Sequence, residues 1–456
     1  MNNRTKLLTE SPFKLMLSLS VPAVLGMLVV GLYNLMDAVF AGQMISSTAM
    51  GAISISYPFT LINSGVATLI GVGSASVLSR AIGKKDQKTI DSIMGNLIMV
   101  VCILSLIITV VGIIFTKQIL SVTGAEGEIL NSAVRYLRLI FIGSIFVNFF
   151  QSANMVMRGE GALKQSMLIV GSGAILNMIL APILISILNK FNMGIEGAAY
   201  STIISQLIQA IVTLMYFIRK SETLKINKIR LDINILPEIF AVGLSAMLMQ
   251  VMTLLYQTFI FNSASKYGGG TSQILLGAAL RVQTFAFIPL WGISQGFQPV
   301  AGTNYGAGKY DRVKTMTLVF IASAFVLSLI FYLPVEIAPG AVLSLFIKES
   351  NIIQQGVSNF RIMFSTYIFL GIFIMVVTLF QSLGKAKKAS IIVLLRQVIL
   401  FIPLIMILPK WIGVKGIWMA IGLNDGILVL ITICMMMFEF KSLSSKTNVK
   451  ANLDAI

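Results

Sequence analysis

The sequence predicts an all-α polytopic membrane protein of twelve transmembrane helices in two six-helix lobes related by a parallel internal repeat. Three observations lead there. Hydrophobic residues make up 57% of the 456 and charged residues only 11%, with a mean hydropathy of +0.91, far outside the range of soluble domains. Apolar stretches of about twenty residues, each long enough to cross a hydrocarbon core of about 30 Å as helix, recur along almost the whole chain. Landmarks of the first half return in the second at nearly constant spacing. The period-two alternation that a transmembrane barrel requires is missing.

The twelve expected spans are 13-40, 49-80, 93-116, 136-158, 165-189, 194-218, 236-262, 273-301, 315-338, 358-380, 389-409 and 414-438. The first apolar run is too long for the core of a signal peptide and is expected to remain as the first membrane helix. Pro22, Pro58, Pro182, Pro289 and Pro403 fall inside spans, where neighbouring helices can re-satisfy the freed carbonyls and bends can form.

A net charge of +17 could suggest nucleic acid, but the basic residues are spread over short loops rather than gathered on one face, so no nucleic-acid partner is expected. Topology accounts for them. With the N-terminus inside, twenty-three basic residues fall in the tails and the loops after even-numbered spans, against nine on the other side. The positive-inside rule therefore places both termini in the cytoplasm. Arg281 and Arg396 remain within spans eight and eleven, as structural counter-charges, snorkelling ends or coupling groups. Cys102 and Cys434 sit in apolar runs and there is no histidine, so no disulfide framework, thiolate metal site or imidazole proton relay is indicated.

The repeat is read from four landmarks. Tyr33 meets Tyr256, and Gly161-Ala-Leu-Lys164 meets Gly384-Lys-Ala-Lys387, both at an offset of 223; Gly83-Lys-Lys-Asp86 meets Gly308-Lys-Tyr-Asp311 at 225; Gly194-Ile-Glu-Gly197 meets Gly413-Val-Lys-Gly416 at 219. Six spans per copy is an even number, so both copies run the same way through the membrane. The expected domains are a first lobe 1-218, a basic cytoplasmic linker 219-235, a second lobe 236-438 and a cytoplasmic tail 439-456.

The lobes differ chemically. Asp37 is the single charged residue among the sixty-five between Lys14 and Arg80. An ionised Asp in hydrocarbon costs about 2.5–3.5 kcal/mol, so it persists where it faces a wet cavity, finds partners or takes up a proton. Tyr33 lies one helical turn away, with Asn34 on the flank. The second lobe has Ile260 at the equivalent of Asp37 and Leu400 at that of Asn177. It supplies instead Met247, Met249, Met252, Tyr256, Phe259, Phe285, Phe287 and Trp291, which are core packing by default and an adaptable cavity wall as the alternative. Asp425 in span twelve is either a packing acid or a cavity group. Glu196 and Glu336, near span ends, are expected to be solvated, and the charges of Gly159-Glu-Gly161 to anchor a cytoplasmic turn. With neither a preceding strand nor a Lys-Ser/Thr ending, these turns are not phosphate loops.

Tyr33-Asn-Leu-Met-Asp37-Ala-Val-Phe-Ala-Gly42, Gly159-Glu-Gly161 with Ile175-Leu-Asn177-Met-Ile-Leu-Ala-Pro182, Gly194-Ile-Glu-Gly-Ala-Ala-Tyr-Ser-Thr202, Gly296-Phe-Gln-Pro299-Val-Ala-Gly-Thr-Asn304-Tyr-Gly306 and Gln381-Ser-Leu-Gly384 together resemble the multidrug and toxic compound extrusion (MATE) family. The likeness is to the bacterial branch of the staphylococcal multidrug pump and the DNA-damage-inducible MATE proteins, and it runs from Leu17 to about Met437. The resemblance implies a V-shaped pair of bundles in the bacterial inner membrane, exporting bulky, often cationic organic compounds in exchange for protons or sodium ions. Asp37 then matches the coupling residue, with Tyr33, Asn177 and Thr202 beside it. Tyr136, Gln151 and Asn154 match polar positions of the first-lobe cavity, and Pro22 matches the bend of span one. Met252, Tyr256, Gln257, Phe287, Arg281 and Asp425 are the second-lobe cavity candidates. The chain departs from the pattern at Ala181, where many relatives carry a second acid, and it lacks the second-lobe acids of another branch.

Sodium prefers several hard oxygen ligands, and without an acid at position 181 a site of Asp37, Asn177 and Thr202 is thin; a proton needs one basic oxygen. The expectation is a proton-coupled antiporter working by alternating access of two lobes, with no cofactor beyond the ion gradient, membrane lipids around it and a monomeric state. The alternatives are sodium coupling and a lipid-linked oligosaccharide flippase, for which a cationic cavity would be needed and only Arg281 and Arg396 are on offer. Nothing resembles a channel filter, and clustered catalytic groups are missing, so an enzyme is not expected.

Overall fold

Hydrocarbon offers a backbone N–H or C=O no partner but another peptide group, so apolar runs of this length fold as helix. The computed structural model describes residues 3–122, 127–226, 231–347 and 349–454; the side chains of 33–35, 37–39, 41, 42, 47, 122 and 448–454 lie outside that description. The helices are α1 (Asn3–Thr9), α2 (Pro12–Met44), α3 (Ser47–Lys84), α4 (Gln87–Val122), α5 (Gly127–Ile142), α6 (Ser144–Gly159), α7 (Leu163–Asn189), α8 (Gly194–Arg219), α9 (Leu236–Gly306), α10 (Tyr310–Ile337), α11 (Pro339–Ser344), α12 (Ser350–Phe364), α13 (Leu370–Ser382), α14 (Ala386–Leu394), α15 (Phe401–Ile412) and α16 (Val414–Asp454). No strand occurs among the described residues.

Among the described residues, ten continuous helical segments are long and apolar enough to cross a bilayer, and α5 with α6, bent by 53° between them, form an eleventh. The twelfth comes from α9. Its 71 residues would reach about 107 Å as one helix at 1.5 Å per residue, more than three hydrocarbon cores. Gly269 breaks it, with φ 61° and ψ −157°, so spans seven and eight follow one another with hardly a loop. α2 runs unbroken through Pro22.

The turns repeat as the sequence does. After α3, Lys85 takes φ 61° and the N–H of Asp86 reaches Ala81 O; after α9, Gly308 takes φ 71° and the N–H of Lys309 reaches Asn304 O. These positions lie 223 apart. The structure thus pairs Lys85, not Gly83, with Gly308, correcting the offset of 225 to that of the other landmarks. Gly161 and Gly384, with φ 89° and 74°, close the turns after α6 and α13 in the same way. A left-handed residue at this place satisfies the last carbonyls of a helix.

The chain divides into two compact units, and the division differs from the expected boundary. The leading unit is Leu25–Gly243; the trailing unit joins Met1–Val24 to Leu244–Ile456. The first part of α2 therefore belongs with the second half of the chain, and the expected linker and the start of α9 belong with the first. The cause is close packing at glycine. In the leading unit a Cβ on Gly243 would fall 1.7 Å from Leu69 O, and one on Gly73 2.1 Å from Ile239 O. In the trailing unit Gly292 lies against Val24 and Gly296 against Ser20. The segment after α8 is held as well: Leu224 is buried, the Asp232 N–H donates to Asn96 Oδ1 at 2.9 Å, and Arg80 pairs with Glu238 at 2.8 Å. The leading core is aliphatic, with Leu78, Leu97, Val101 and Val156 at its centre. The trailing core is aromatic, with Phe297, Phe320, Phe373, Phe380 and Trp418 fully buried.

Candidate functional site

Asp37 and Tyr33 lie on α2, and their side chains fall outside the described residues. Their expected partners in the leading unit are well defined. α7 and α8 approach closely because Gly197 sits on Leu184 O and Gly173 makes room for the Gln209 amide, which donates to Ile169 O and Val170 O at 3.3 and 3.2 Å. Within this contact Asn177 Nδ2 donates to Thr202 Oγ1 at 3.3 Å, and Thr202 Oγ1 donates to Ala198 O at 3.2 Å. Both side chains are buried. That chain of donors ends with Asn177 Oδ1 buried and without a partner, as is Ser205 Oγ one turn beyond Thr202. A buried amide oxygen left as a bare acceptor favours a donor or a cation. Ala181, one turn on from Asn177, is buried and brings no charge.

The other leading-unit candidates are placed differently. Tyr136 packs in an apolar cluster with Ala52, Leu120, Phe141 and Ile195. Asn154 is engaged by α7: Ser166 Oγ donates to its Oδ1 at 2.6 Å and its Nδ2 donates to Ser166 O at 3.2 Å. Gln151, on the same helix, is half-buried. A network not foreseen from the sequence joins α6 to α3 and α4, where Asn148 Nδ2 donates to Asn63 Oδ1 at 3.3 Å and to Ser105 Oγ at 2.9 Å. An Asn in each apolar run was the available signal; which ones meet depends on tertiary packing.

In the trailing unit Arg396 sits on a π-helical turn, Leu395–Ile399, between α14 and α15. Its Nε and Nη2 donate to the two oxygens of Asp425 on α16 at 3.0 and 3.4 Å, and its guanidinium lies 5.2 Å from the Phe287 ring and 5.0 Å from that of Phe373. Asp425 is 1% exposed. Asp425 and Arg396 thus form a buried ion pair within the trailing unit. Asn424 Nδ2 donates to Arg396 O at 3.1 Å, and Gln397 Nε2 to Thr253 Oγ1 at 3.4 Å. Tyr256 stacks on Phe401 with centroids 4.1 Å apart, its buried hydroxyl without a partner. Met252, Gln257 and Phe287 are half-buried and Arg281 is exposed. A cavity of ≈ 530 Å³ opens between α12 and α16, lined by Ile362, Thr366, Phe369, Met419, Gly422 and Leu423 among others. None of the sequence candidates lines it.

Two acids are buried: Glu196, expected to be solvated, and Glu160, expected to anchor a cytoplasmic turn. Glu196 is 6% exposed and pairs with Arg135 at 3.0 Å. Glu160, in the turn between α6 and α7, accepts hydrogen bonds from Tyr216 and Ser221. Glu336 is half-buried. Each acid found its partners on an element remote in sequence.

Comparison with known proteins agrees with this architecture. The MatE family model matches residues 22–183 and 245–407, two segments whose starts lie 223 apart, the repeat offset found above. The multidrug export protein MepA of Staphylococcus aureus (strain MSSA476) is 28% identical over 412 residues, covering 90% of each chain. A MATE protein crystallised in a bent conformation superposes with a TM-score of 0.91 at 23% identity, over 98% of this chain and 99% of that one. A transporter of the MOP superfamily from Pyrococcus furiosus, whose binding pocket is described as of reversed polarity, superposes with a TM-score of 0.88 at 24% identity, over 96% and 98%. With its helices, its two-fold repeat and both matched segments, the chain belongs to the MATE family of multi-pass membrane transporters.

Proposed function

We propose that this chain exports lipophilic, often cationic organic molecules from the cytoplasm in exchange for protons, by alternating access, with Asp37 as the coupling acid. The basic turns and both termini then face the cytoplasm of a bacterial inner membrane. Relatives that share most of its length are multidrug export proteins. The observation that supports a coupling site is Asn177 Oδ1, buried and unpartnered beside Thr202, which suits a donor or a cation. A protonated carboxyl donates to such an oxygen and an ionised one does not, so proton uptake rearranges the bonds about the acid. Ala181 leaves that neighbourhood without a second carboxylate, which favours a proton over sodium. Exchange needs only that proton and substrate each weaken the other's binding.

The test is ethidium efflux from proteoliposomes under an imposed pH gradient or an imposed sodium gradient. The pH gradient is expected to drive efflux and Asp37→Asn to reduce it to the protein-free rate. Acceleration by sodium alone replaces the proton by sodium; undiminished efflux in the variant removes Asp37 from the role.

A further inference from the structure

Glu160 is buried more deeply than a topology-anchoring charge requires, at 2% exposed. Its carboxylate accepts from the Tyr216 hydroxyl on α8 and, at 2.8 Å, from Ser221 Oγ, in the first turn of the segment that joins the two halves of the chain. Ser221 Oγ in turn accepts from the Leu224 N–H at 3.0 Å, and Leu224 is buried. Residues 221–224 thus meet the leading unit through the Ser221 hydroxyl on this carboxyl, beside the Ser221 N–H on Tyr216 O at 3.0 Å and the Leu224 side chain in the apolar core.

No Lys or Arg lies within ion-pair range of Glu160 among the described residues. The charged groups on the elements about it are Arg158 at the end of α6, Lys164 on α7, Arg219 and Lys220 at the end of α8, Glu222 and Lys225 in the joining segment, and Arg80 on α3, which is turned to Glu238. Of these, Glu222 acts on the carboxyl, and its charge is of the same sign. Burial pushes the Glu160 carboxyl up to about 7, against the lowering pull of the bonds from Tyr216 and Ser221. At the equivalent place in the trailing unit the acid is Glu439 on α16, and it is met by Lys385 and Lys388.

We propose that Glu160 is a positioning residue for transport: protonated, it holds the start of the inter-half segment on the leading unit through Ser221; ionised, it releases that segment, so that transport responds to cytoplasmic pH. An ionised carboxylate with two hydroxyl donors and no cation is poorly compensated when buried and better solvated in water. The held state therefore binds the proton more tightly than the released one. By linkage the ratio of held to released falls about tenfold between pH 6 and 8. Release is confined to the first residues of the segment, because Asp232 and Glu238 keep their own partners. The inference rests on the proposed sidedness and is independent of which ion drives export.

The test uses the full chain in proteoliposomes with the basic face accessible. The rate of tryptic cleavage after Lys225, an exposed residue, is followed from pH 6 to 8 and normalised to a free peptide of the same segment. A rise of about tenfold is expected in the wild type, slow and pH-independent cleavage in Glu160→Gln, and a midpoint moved to higher pH in Tyr216→Phe. Ethidium efflux at a fixed driving gradient, with only the cytoplasmic pH varied, should show the same step and lose it in Glu160→Gln. A step of wild-type size in Glu160→Gln overturns the proposal. Should that variant not fold, Ser221→Ala decides, since fast cleavage at every pH is expected and a retained pH step refutes the tether. Loss of efflux with the cleavage step intact counts against the transport reading and leaves the latch standing.

Discussion

The two units solve one problem with opposite chemistry. Each must tie the turn after its fourth span to the end of its sixth. In the leading unit the acid is on the turn, at Glu160, and its partners are the hydroxyls of Tyr216 and Ser221. In the trailing unit the acid is on the helix, at Glu439, fully buried, and its partners are the ammonium groups of Lys385 and Lys388. The same division runs through the interiors. Asn63, Asn148, Asn177 and Gln209 bond to neutral groups in the leading unit, whereas the trailing unit buries the Arg396–Asp425 pair. An acid matched by a cation keeps its charge over the physiological range; one matched by hydroxyls is free to change it. On the proposed reading, the turn that responds to protons is the one in the leading unit, while its counterpart keeps its charge.

The comparison can be broken most forcefully at Arg396. Asp425→Ala leaves a buried guanidinium unpaired, for which a loss of about 3–5 kcal/mol is expected, read as a large fall in the detergent unfolding midpoint. Replacing both residues with apolar ones of similar volume should recover most of it. If Asp425→Ala is silent, the trailing unit does not depend on its charge pair.

A smaller effect is expected at Glu160. Its carboxyl is raised from 4.5 to about 7 in the folded protein, so the native state holds the proton that the unfolded chain has given up. The stabilisation is complete below about pH 4.5 and is lost as pH rises through about 7, amounting to about 3 kcal/mol. Glu160→Gln should flatten that part of the stability profile, measured by thermal unfolding at pH 5 and pH 8.5, while Lys388→Met, in the charged counterpart, should leave the slope in this window as it is.

The glycine crossings give a third contrast. Gly243→Ala drives a methyl into the Leu69 carbonyl and must shift backbone; at Gly296 the nearest atom to an added methyl is Ser20 Oγ, at 3.1 Å and on an adjustable side chain. About 1–3 kcal/mol of destabilisation is expected for the first and markedly less for the second, compared by unfolding midpoints. The smallest effect belongs to Asn154→Ala, which removes the two bonds to Ser166 and should cost about 1 kcal/mol with substrate affinity unchanged, if the amide serves packing rather than the cavity.

These contrasts also mark how far the sequence carried. Spans were legible because hydrophobic length has a direct meaning in a bilayer, and the repeat because turn residues such as Gly161 and Gly384 must adopt left-handed backbone. The near-loopless passage at Gly269 was not, since three consecutive glycines read as a loop. For the site, Asn177 and Thr202 were brought together only by the family resemblance, and they are hydrogen-bonded to each other. Arg396 and Asp425 were each noticed, but nothing in two apolar runs says that they pair. Glu196 was misjudged as solvated, because a span end looks wet in one dimension and is covered in three; Glu160, read as anchoring a turn, is covered as well. The division of the chain was hidden for the same reason: Gly73 meets Ile239 and Gly243 meets Leu69, residues far apart in sequence.

That division has a mechanical corollary. The chain passes from one unit to the other at Val24/Leu25 and again at Gly243/Leu244, and both points lie within helices, α2 and α9. The joints are therefore coiled rods rather than slack tethers, and a rod flexes elastically. One is softened by Pro22, which withholds an amide hydrogen from the ladder, and the other by Gly243, which lacks a side chain to stiffen it.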